Sequence, residues 1–408
     1  MQKTILQFCL SAAWLCASGW MFAAPAPIQR GPLLHGTPSQ TVQKPAAAKP
    51  APPKAAPPKA ASPKAAPPKA ASVKKPAPPK AAPVKKPAPS PKAAPVRKPA
   101  PSKAAPPPPP PPPPPAPAKS LSCVPREPYR GAIAVDADTG RILFSDNMRT
   151  PGYPASVTKL MTFLLVLEDV QAGYYGLDAR VTASPLAASM EPSKVDLRPG
   201  QTMSVHDLLL SIMVKSANDA AEALAEHAAL AHRRRHGAPT ENVPAEALCA
   251  EFVERMNRRA LELGMRDTCF ASPNGLPPAR GTKRNFDVST AADLAELGKV
   301  VVRMPNALTY TSRASCKVTD GAGNPLMLAS HNYFLPGTHD PQRYGVPIPG
   351  CDGLKTGYTE RSGSSIMLTA SRNGRRVIVV VLGSRGRHQR EKAAGVILRD
   401  ALGAISIW

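Results

Sequence analysis

The stretch Pro154-Ala155-Ser156-Val157-Thr158-Lys159-Leu160-Met161-Thr162 opens an apolar run that continues to Val170. Because residues 160–170 contain no glycine or proline, the pattern predicts a buried helix whose first turn holds Ser156 and Lys159. Residues three positions apart share a helix face, so the hydroxyl and the amine can touch. A serine becomes a good nucleophile when a neighbouring base takes its proton, and a lysine acts as that base when burial or another cation lowers its pKa. Ser156 and Lys159 are therefore a candidate nucleophile and base.

A Ser-x-x-Lys match is common, and the chain contains a second one that serves as a control. Ser72-Val73-Lys74-Lys75 has the same spacing in a lysine-rich segment where nothing can be buried. The chemical interpretation of Ser156 and Lys159 therefore depends on further motifs nearer the C-terminus.

Two short motifs lie downstream of the Ser156 helix. Ser216-Ala217-Asn218 places a hydroxyl and an amide on a tight connection between two predicted helices, where they can relay a proton and hold a substrate amide. The same spacing also occurs at three other positions, Ser145-Asp146-Asn147, Ser272-Pro273-Asn274 and Ser330-His331-Asn332. Lys355-Thr356-Gly357 starts a predicted strand; its cation and hydroxyl suit a terminal carboxylate, and its glycine lets an extended peptide lie against the strand edge.

The order SxxK, SxN, KTG over about 200 residues resembles the penicillin-binding serine peptidases, and most closely the low-molecular-mass D-alanyl-D-alanine carboxypeptidases. The resemblance extends from about Ala132 to Leu402. Several longer stretches also look like that family: residues 154–162, Asn218-Asp219-Ala220-Ala221, Leu263-Gly264-Met265-Arg266-Asp267-Thr268, Asn274-Gly275-Leu276 and Asp352-Gly353-Leu354-Lys355-Thr356-Gly357-Tyr358-Thr359.

The resemblance implies an acyl-enzyme mechanism. Ser156 would attack the carbonyl between two D-alanines, and Lys159 would take and return the proton. Ser216 and Asn218 would help to transfer the proton to the leaving amine and would position the substrate. Neither a metal nor a cofactor is expected for this chemistry.

The resemblance also implies how the substrate is held. Lys355 and Thr356 would bind the terminal carboxylate beside Gly357, and the backbone N–H groups of Ser156 and Tyr358 would form the oxyanion hole. Lys355 would also help to keep Lys159 neutral. β-Lactam antibiotics are expected to acylate Ser156 as substrate mimics.

Three other functions can be compared with the motifs that the chain contains. A D,D-endopeptidase that cleaves peptidoglycan crosslinks has the same motifs, and the sequence separates it poorly from a carboxypeptidase. A β-lactamase of the commonest class needs a Glu-x-x-x-Asn motif, and none occurs between Asn218 and Lys355. An envelope- or nucleic-acid-binding protein with a degenerate peptidase domain predicts the loss of Ser156, Lys159 or Lys355, and all three are present. We therefore favour the carboxypeptidase, with peptidoglycan stem peptides as substrate and no nucleic-acid partner.

The distribution of strands and helices predicts the fold class. Ala132–Val135 and Arg141–Phe144 flank a turn and predict a hairpin, and residues 365–370 and 376–382 flank Asn373-Gly374, a strong hairpin signal. Helices are predicted between these hairpins and after the second one, at about 156–170, 205–214, 219–230, 246–263, 290–303 and 391–402. We therefore expect an α/β fold with an antiparallel sheet built from both termini, flanking helices and an inserted, mainly helical lobe.

The N-terminal third predicts export. Residues 1–24 carry Lys3 followed by an apolar run with small residues near its end, as in a signal peptide or an uncleaved N-terminal membrane anchor. We expect a protein of the periplasm or cell envelope that is either secreted or N-terminally anchored.

Two segments, 232–249 and 336–351, look like insertions, and the second borders the Lys355 strand.

Residues 25–120 are expected to be a disordered linker, since the chain from Gln43 to Ala118 is almost only proline, alanine, lysine, serine and valine. Residues 1–120 hold 18 of the 52 basic residues and no acidic residue, which leaves 34 basic and 28 acidic residues in 121–408. The formal charge of +24 therefore falls to +6 in the expected catalytic domain, 121–408. The basic linker suits anionic envelope polymers.

Cysteines and histidines give weaker signals. Five cysteines follow the predicted signal, namely Cys123, Cys249, Cys269, Cys316 and Cys351; one or two disulfides are plausible and at least one thiol is then unpaired within the chain. No cysteine or histidine spacing typical of a metal site occurs. We interpret His227, His331 and His388 as structural or exposed.

Overall fold

The computed structural model of the protein describes residues 128–278, 284–338 and 346–406. Within these ranges the central element is a five-stranded antiparallel sheet. Its strands are β1 (Gly131–Asp136), β2 (Ile142–Asp146), β7 (Cys351–Thr359), β8 (Gly363–Arg372) and β9 (Arg375–Ser384). Their order across the sheet is β2-β1-β9-β8-β7. The N-terminal hairpin thus pairs with the C-terminal hairpin through β1 and β9, which confirms the prediction of a sheet built from both termini.

The inner strands are buried on both faces. Strand β9 carries the run Val377-Ile378-Val379-Val380-Val381-Leu382, whose side chains are all buried. Alternate residues enter two different cores: Ile378 and Val380 pack with the helical lobe, whereas Val379 and Val381 pack with the C-terminal helix. Consecutive strand residues point to opposite faces, so an unbroken apolar run is what a sheet covered on both sides requires.

Two helices cover the sheet from opposite sides. Helix α8 (Arg387–Ser406) packs on the face that carries Leu368 and Val379, and helix α6 (Ala291–Val301) packs on the other face. Helix α8 is longer than the helix that the sequence predicts at 391–402. Helix α6 has almost the limits of the helix predicted at 290–303.

The remaining helices form the lobe that is inserted between β2 and β7. Helix α1 (Lys159–Gln171) lies at its centre and is buried along almost its whole length. The others are α2 (Pro185–Ala188), α3 (Val205–Leu210), which continues as a π-helical turn over Ser211–Lys215, α4 (Asn218–Arg235), α5 (Ala245–Glu262) and α7 (Ala307–Thr311). The predicted helical lobe is confirmed.

The start of α1 differs from the prediction. The sequence predicts one helix that begins at Ser156, whereas Ala155–Thr158 form a 3₁₀ turn and the α-helix begins at Lys159. Ala155 has a positive φ of 51°, so the chain enters this turn from a conformation that an α-helix cannot contain. The tighter turn still leaves Ser156 and Lys159 adjacent.

Two small antiparallel ribbons are not predicted by the sequence pattern. One joins β3 (Arg180–Thr182) to β4 (Thr202–Ser204), and the other joins β5 (Ser315–Thr319) to β6 (Pro325–Ala329). Most residues of β5 and β6 are at least partly exposed. Strand β5 has only two apolar residues, Cys316 and Val318, and the short apolar run of β6 begins with Pro325, which argues against a strand.

The N-terminal predictions lie outside the described residues, which include neither the signal or anchor segment 1–24 nor the linker 25–120. Among the helices of the described ranges, none has both the length and the apolar character needed to cross a bilayer. Cys249, Cys269, Cys316 and Cys351 are free thiols, so these four cysteines form no disulfide with one another.

Candidate active site

Ser156 and Lys159 lie side by side at the junction of the 3₁₀ turn and α1. The Lys159 Nζ atom is 2.9 Å from the Ser156 Oγ atom. Lys159 is completely buried, whereas Ser156 is partly exposed and lines a pocket. The pair thus places a reachable hydroxyl against an amine that is shielded from water.

Two oxygen atoms complete the surroundings of the Lys159 amine. Nζ donates to the Asn218 side-chain carbonyl at 2.6 Å and to the Asn274 backbone carbonyl at 2.5 Å. The Asn218 amide group is oriented by its own Nδ2, which donates to the Glu191 carbonyl at 2.7 Å. The first and second motifs therefore meet at the Lys159 amine.

Burial sets the charge state of this amine. It lowers the pKa of Lys159 from 10.5 to about 7, and the buried carboxylates of Asp287, Glu222 and Asp219 oppose the shift without cancelling it. A substantial fraction of the amine is then neutral near pH 7, and only the neutral form can accept a proton from Ser156. Burial, rather than the repulsion from Lys355 expected from the sequence, is the main cause.

Ser216 links the second motif to the third. It follows the π-helical turn in the left-handed conformation, with φ 63° and ψ 32°, and α4 begins two residues later at Asn218. Its Oγ atom accepts a hydrogen bond from the Lys355 Nζ atom at 2.9 Å. A non-glycine residue with positive φ is uncommon and is often found at functional sites.

Strand β7 forms the opposite wall. Lys355 is buried and also donates to the Thr356 carbonyl at 2.8 Å, and Tyr358 is 51% exposed. Burial, followed by the charges of Lys159 and Arg390, lowers the pKa of Lys355 well below its usual value. Two neighbouring buried amines thus disfavour each other's charged forms.

Gly357 brings β7 close to the nucleophile. A Cβ atom at this position would lie 2.6 Å from the Pro154 carbonyl oxygen and 3.1 Å from the backbone nitrogens of Ser156 and Val157. The first distance is shorter than a side-chain carbon tolerates and the other two are tight, so glycine is required for the approach.

The structure brings all eight predicted site residues together. Six of them line one pocket, namely Ser156, Ser216, Asn218, Thr356, Gly357 and Tyr358. Lys159 and Lys355 lie behind it, each with its Nζ atom 2.9 Å from one of its hydroxyl groups. A larger groove of about 860 Å³ lies between α8 and β2, but none of the eight residues lines it. The candidate site is therefore the smaller pocket between the sheet and the helical lobe.

Sequence reasoning misses several residues of this pocket. His331, Arg387 and Arg390 line it. Burial and the nearby charges of Lys355 and Arg387 lower the pKa of His331 to about 4, so its ring is neutral at physiological pH. The sequence predicts that His331 is structural or exposed, whereas in the structure it lines the pocket. No spacing in the sequence marks these residues, since each is brought to the site by tertiary folding alone.

The other two histidines have different surroundings. His227 is partly buried and its ring lies edge-on to Tyr175, at 4.8 Å between ring centroids, and His388 is exposed. Within the described ranges, no group of three or more histidine, cysteine, aspartate or glutamate side chains is arranged to hold a metal ion.

Comparison with known proteins shows the family of the chain. Residues 126–234 and 245–386 match the peptidase S11 family, D-alanyl-D-alanine carboxypeptidase. The interruption at 235–244 lies within the first predicted insertion, whereas the match continues through the second, 336–351.

Individual relatives agree with this match. The chain is 29% identical over 261 residues to D-alanyl-D-alanine carboxypeptidase DacF of Bacillus subtilis, which covers 64% of this chain and 59% of the relative. It therefore spans less than two thirds of that relative's length. D-alanyl-D-alanine carboxypeptidase DacD of Escherichia coli is 29% identical over 285 residues, 67% of this chain and 63% of the relative.

A solved structure shows the same fold. The cefotaxime-bound form of penicillin-binding protein D2 from Listeria monocytogenes is 31% identical, with a TM-score of 0.52 over 70% of this chain and 99% of that one. The SxxK, SxN and KTG motifs meet in one pocket, on an antiparallel sheet with a helical lobe. This arrangement agrees with both the family match and the structural neighbour. The chain belongs to the peptidase S11 family of D-alanyl-D-alanine carboxypeptidases.

Proposed function

We propose that the protein is a serine-type D-Ala-D-Ala carboxypeptidase that removes the terminal D-alanine from peptidoglycan stem peptides through an acyl-enzyme. The observation that carries the proposal is the 2.9 Å contact between Ser156 Oγ and a completely buried Lys159 amine with a pKa of about 7. The similarity to D-alanyl-D-alanine carboxypeptidases of two bacteria supports the choice of substrate.

Acylation begins with proton transfer from Ser156 to Lys159. The Ser156 oxygen then attacks the carbonyl carbon between the two D-alanines, and the negative charge that develops on the carbonyl oxygen is held by the backbone N–H groups of Ser156 and Tyr358. Collapse of this intermediate breaks the peptide bond and leaves an ester on Ser156. In the second half of the reaction, Lys159 takes a proton from water while the water oxygen attacks the ester carbon. Lys159 then returns that proton to the Ser156 oxygen as the ester bond breaks and the shortened peptide is released.

The leaving amine needs the proton that Lys159 has taken. Ser216 is the proposed relay, since its hydroxyl faces the pocket and is held by Lys355 at 2.9 Å. Asn218 contacts Lys159 on one side and lines the pocket on the other, which suits a residue that also positions the substrate amide.

The substrate carboxylate is proposed to bind at Lys355 and Thr356. An anion next to a buried amine raises the pKa of that amine, so the bound carboxylate favours the ammonium form of Lys355. The buried guanidinium of Arg390, which is paired with Glu391, adds positive charge at the same end of the pocket. A charged Lys355 then disfavours protonation of Lys159 and keeps the base neutral while substrate is bound.

A β-lactam would enter the same reaction and stop after its first half. The experiment is to treat the purified protein with a penicillin, measure its intact mass, and map the modified peptide. We expect a mass increase of one penicillin on Ser156. An unmodified Ser156, or a modification at another residue, would contradict the proposal.

The remaining parts of the chain complete the proposal. Residues 1–24 act as a signal peptide or N-terminal anchor, residues 25–120 as a linker, and residues 121–408 as the catalytic domain of an exported protein of the periplasm or cell envelope. The family match, which begins at residue 126, supports this domain start. The 18 basic residues of segment 1–120, which has no acidic residue, support binding of the linker to anionic envelope polymers.

A further inference from the structure

Besides the oxygens of Ser156 and Asn218, the Lys159 amine contacts a third oxygen, which belongs to a loop outside the three motifs. Asn274 accepts from the Lys159 amine with its backbone carbonyl at 2.5 Å. Its side chain is held at both ends: Oδ1 accepts from the Leu276 N–H at 2.8 Å, and Nδ2 donates to the Glu222 carboxylate at 2.7 Å. The direction of the Asn274 carbonyl therefore depends on where its side chain is held.

Glu222 is a buried acid that the proposed reaction does not use. It lies on α4, one turn after Asn218, and is 6% exposed. A buried carboxylate is costly unless it is hydrogen-bonded, and the partners of Glu222 are the Asn274 amide and the Cys249 thiol. Glu222 thus ties the helix that carries Asn218 to the loop that carries Asn274.

A second buried acid holds the other half of the same loop. Asp287 accepts from the backbone N–H groups of Ala271 and Ser272 at 2.9 and 3.1 Å, and from the Ser272 hydroxyl at 2.7 Å. The Ser272 hydroxyl in turn accepts from the Gly275 N–H at 2.8 Å. Asp287 therefore fixes the start of the loop, and Glu222 fixes Asn274 itself.

The hydrogen-bond capacity of a neutral amine explains why this matters. A neutral lysine amine has two N–H donors and one lone pair, so it satisfies two acceptors and can accept one proton. The Asn218 and Asn274 carbonyl oxygens are the two acceptors, and the lone pair is then left for the Ser156 hydroxyl. If the Asn274 carbonyl turns away, an N–H is free to point at Ser156 and the lone pair is lost to the reaction.

We infer that Glu222 is a positioning residue for Lys159, which acts through Asn274 to direct the lone pair of the base at Ser156. The inference rests on the proposed function of Ser156 and Lys159. Glu222 touches neither of them and acts by its hydrogen bond to Asn274 and by its charge.

The charge of Glu222 has its own consequence. The groups that face Lys159 are Asp219 on α4, Asp287 before α6, Lys355 on β7 and Glu222; the three acids raise the pKa of Lys159 against the effect of burial. Removal of the Glu222 charge then lowers the pKa of Lys159 further. The pKa of Glu222 itself is raised by burial, while the hydrogen bonds from Cys249 and Asn274 and the charges of Arg284 and Lys159 lower it.

The test compares three variants in the full-length protein. Glu222→Leu removes the hydrogen bond and the charge, whereas Glu222→Gln keeps an acceptor for Asn274 and removes only the charge. Glu226→Gln is the matched control, because Glu226 is buried one turn further along α4 but accepts from Ser184. The measurement is the second-order rate constant for acylation by a penicillin from pH 5 to 9, with the melting temperature of each variant.

We expect Glu222→Leu to lower the acylation rate constant at its high-pH plateau by about tenfold or more. Glu222→Gln should keep the plateau within about twofold and move the acid limb to lower pH. Glu226→Gln should match the unmodified protein. A folded Glu222→Leu variant with the plateau of the unmodified protein would overturn the inference.

The remaining outcomes are also decisive. If Glu222→Leu does not fold, Glu222→Gln carries the test, and an acid limb at the original pH would then count against the inference. If the unmodified protein is not acylated at all, the proposed function fails rather than the role of Glu222.

Discussion

Lys159 is the residue on which the proposed chemistry depends most. It combines complete burial with three polar contacts, and its amine is the point at which α1, α4 and the Asn274 loop meet. A lysine in solution would be almost fully protonated at pH 7 and useless as a base. In the proposed mechanism the fold therefore contributes to catalysis mainly by removing water from one side chain.

The pH dependence of acylation follows from this burial. Because the pKa of Lys159 is about 7 and the neutral amine is the active form, the acylation rate should rise with pH and level off above about pH 8. Between pH 6 and pH 8 we expect an increase of about tenfold, measured with a penicillin under single-turnover conditions. Melting temperatures over the same range are the control for unfolding, and a rate that does not change between pH 6 and pH 8 would contradict the assignment of the base.

The nucleophile can be tested against the second Ser-x-x-Lys sequence of the chain. Ser156→Ala should abolish labelling by fluorescent penicillin and leave the melting temperature nearly unchanged, since it removes only one partly exposed hydroxyl. Ser72→Ala is the matched control and should label like the unmodified protein. Labelling that survives Ser156→Ala would refute the identification of Ser156.

Strand β7 is the element that closes the site. Its residues pair with β8 from Cys351 to Thr359, which places Lys355 and Gly357 at fixed positions opposite the start of α1. The close approach at Gly357 depends on the absence of a side chain there. The geometry of the pocket is therefore sensitive to one methyl group on this strand.

A glycine pair tests this sensitivity. Gly357→Ala should push β7 away from Ser156, lower the melting temperature and reduce the rate of penicillin acylation by about tenfold or more. Gly403→Ala on α8 is the control, because no neighbouring atom lies within 4 Å of the place that its Cβ would take; it should raise the free energy of unfolding by about 0.5–1 kcal/mol and leave acylation unchanged. Equal acylation rates in the two variants would show that the approach of β7 is not needed.

Elements with strong local signals are predictable from the sequence. Asn373 and Gly374 both have positive φ values, 53° and 76°, which is the conformation that an Asn-Gly turn favours, and the hairpin they join is the one the sequence predicts. The β5–β6 ribbon escapes prediction because β5 has only two apolar residues, Cys316 and Val318, and β6 begins with Pro325, which argues against a strand. The central sheet is recognisable in the sequence because its inner strands are buried on both faces, which gives them continuous apolar runs.

At the scale of the whole molecule, the site is assembled from distant parts of the chain. Ser156, Ser216 and Lys355 can be found from the sequence because each belongs to a short motif and the motifs occur in a fixed order. Glu222, His331 and Arg390 belong to no such motif, and their positions follow from how α4, the loop before β7 and α8 pack together. Contacts of that kind depend on the tertiary fold, which local patterns do not specify.

The basic N-terminal segment can be tested independently of the catalytic residues. Deletion of residues 43–118 should spare the turnover of a small peptide, because the family match lies entirely after this segment. It should weaken retention on isolated cell envelope at low salt, since the deleted segment is basic and has no acidic residue. Retention that is the same with and without the segment would mean that it does not bind the envelope.

The proposed carboxypeptidase activity is tested most directly by the products of the reaction. The purified protein is incubated with a stem peptide that ends in D-Ala-D-Ala and, separately, with a crosslinked dimer, and free D-alanine and monomer are followed by mass spectrometry, with Ser156→Ala as the blank. We predict that free D-alanine is released from the stem peptide and that the blank releases none. Cleavage of the dimer without release of D-alanine would contradict the account and identify a D,D-endopeptidase instead.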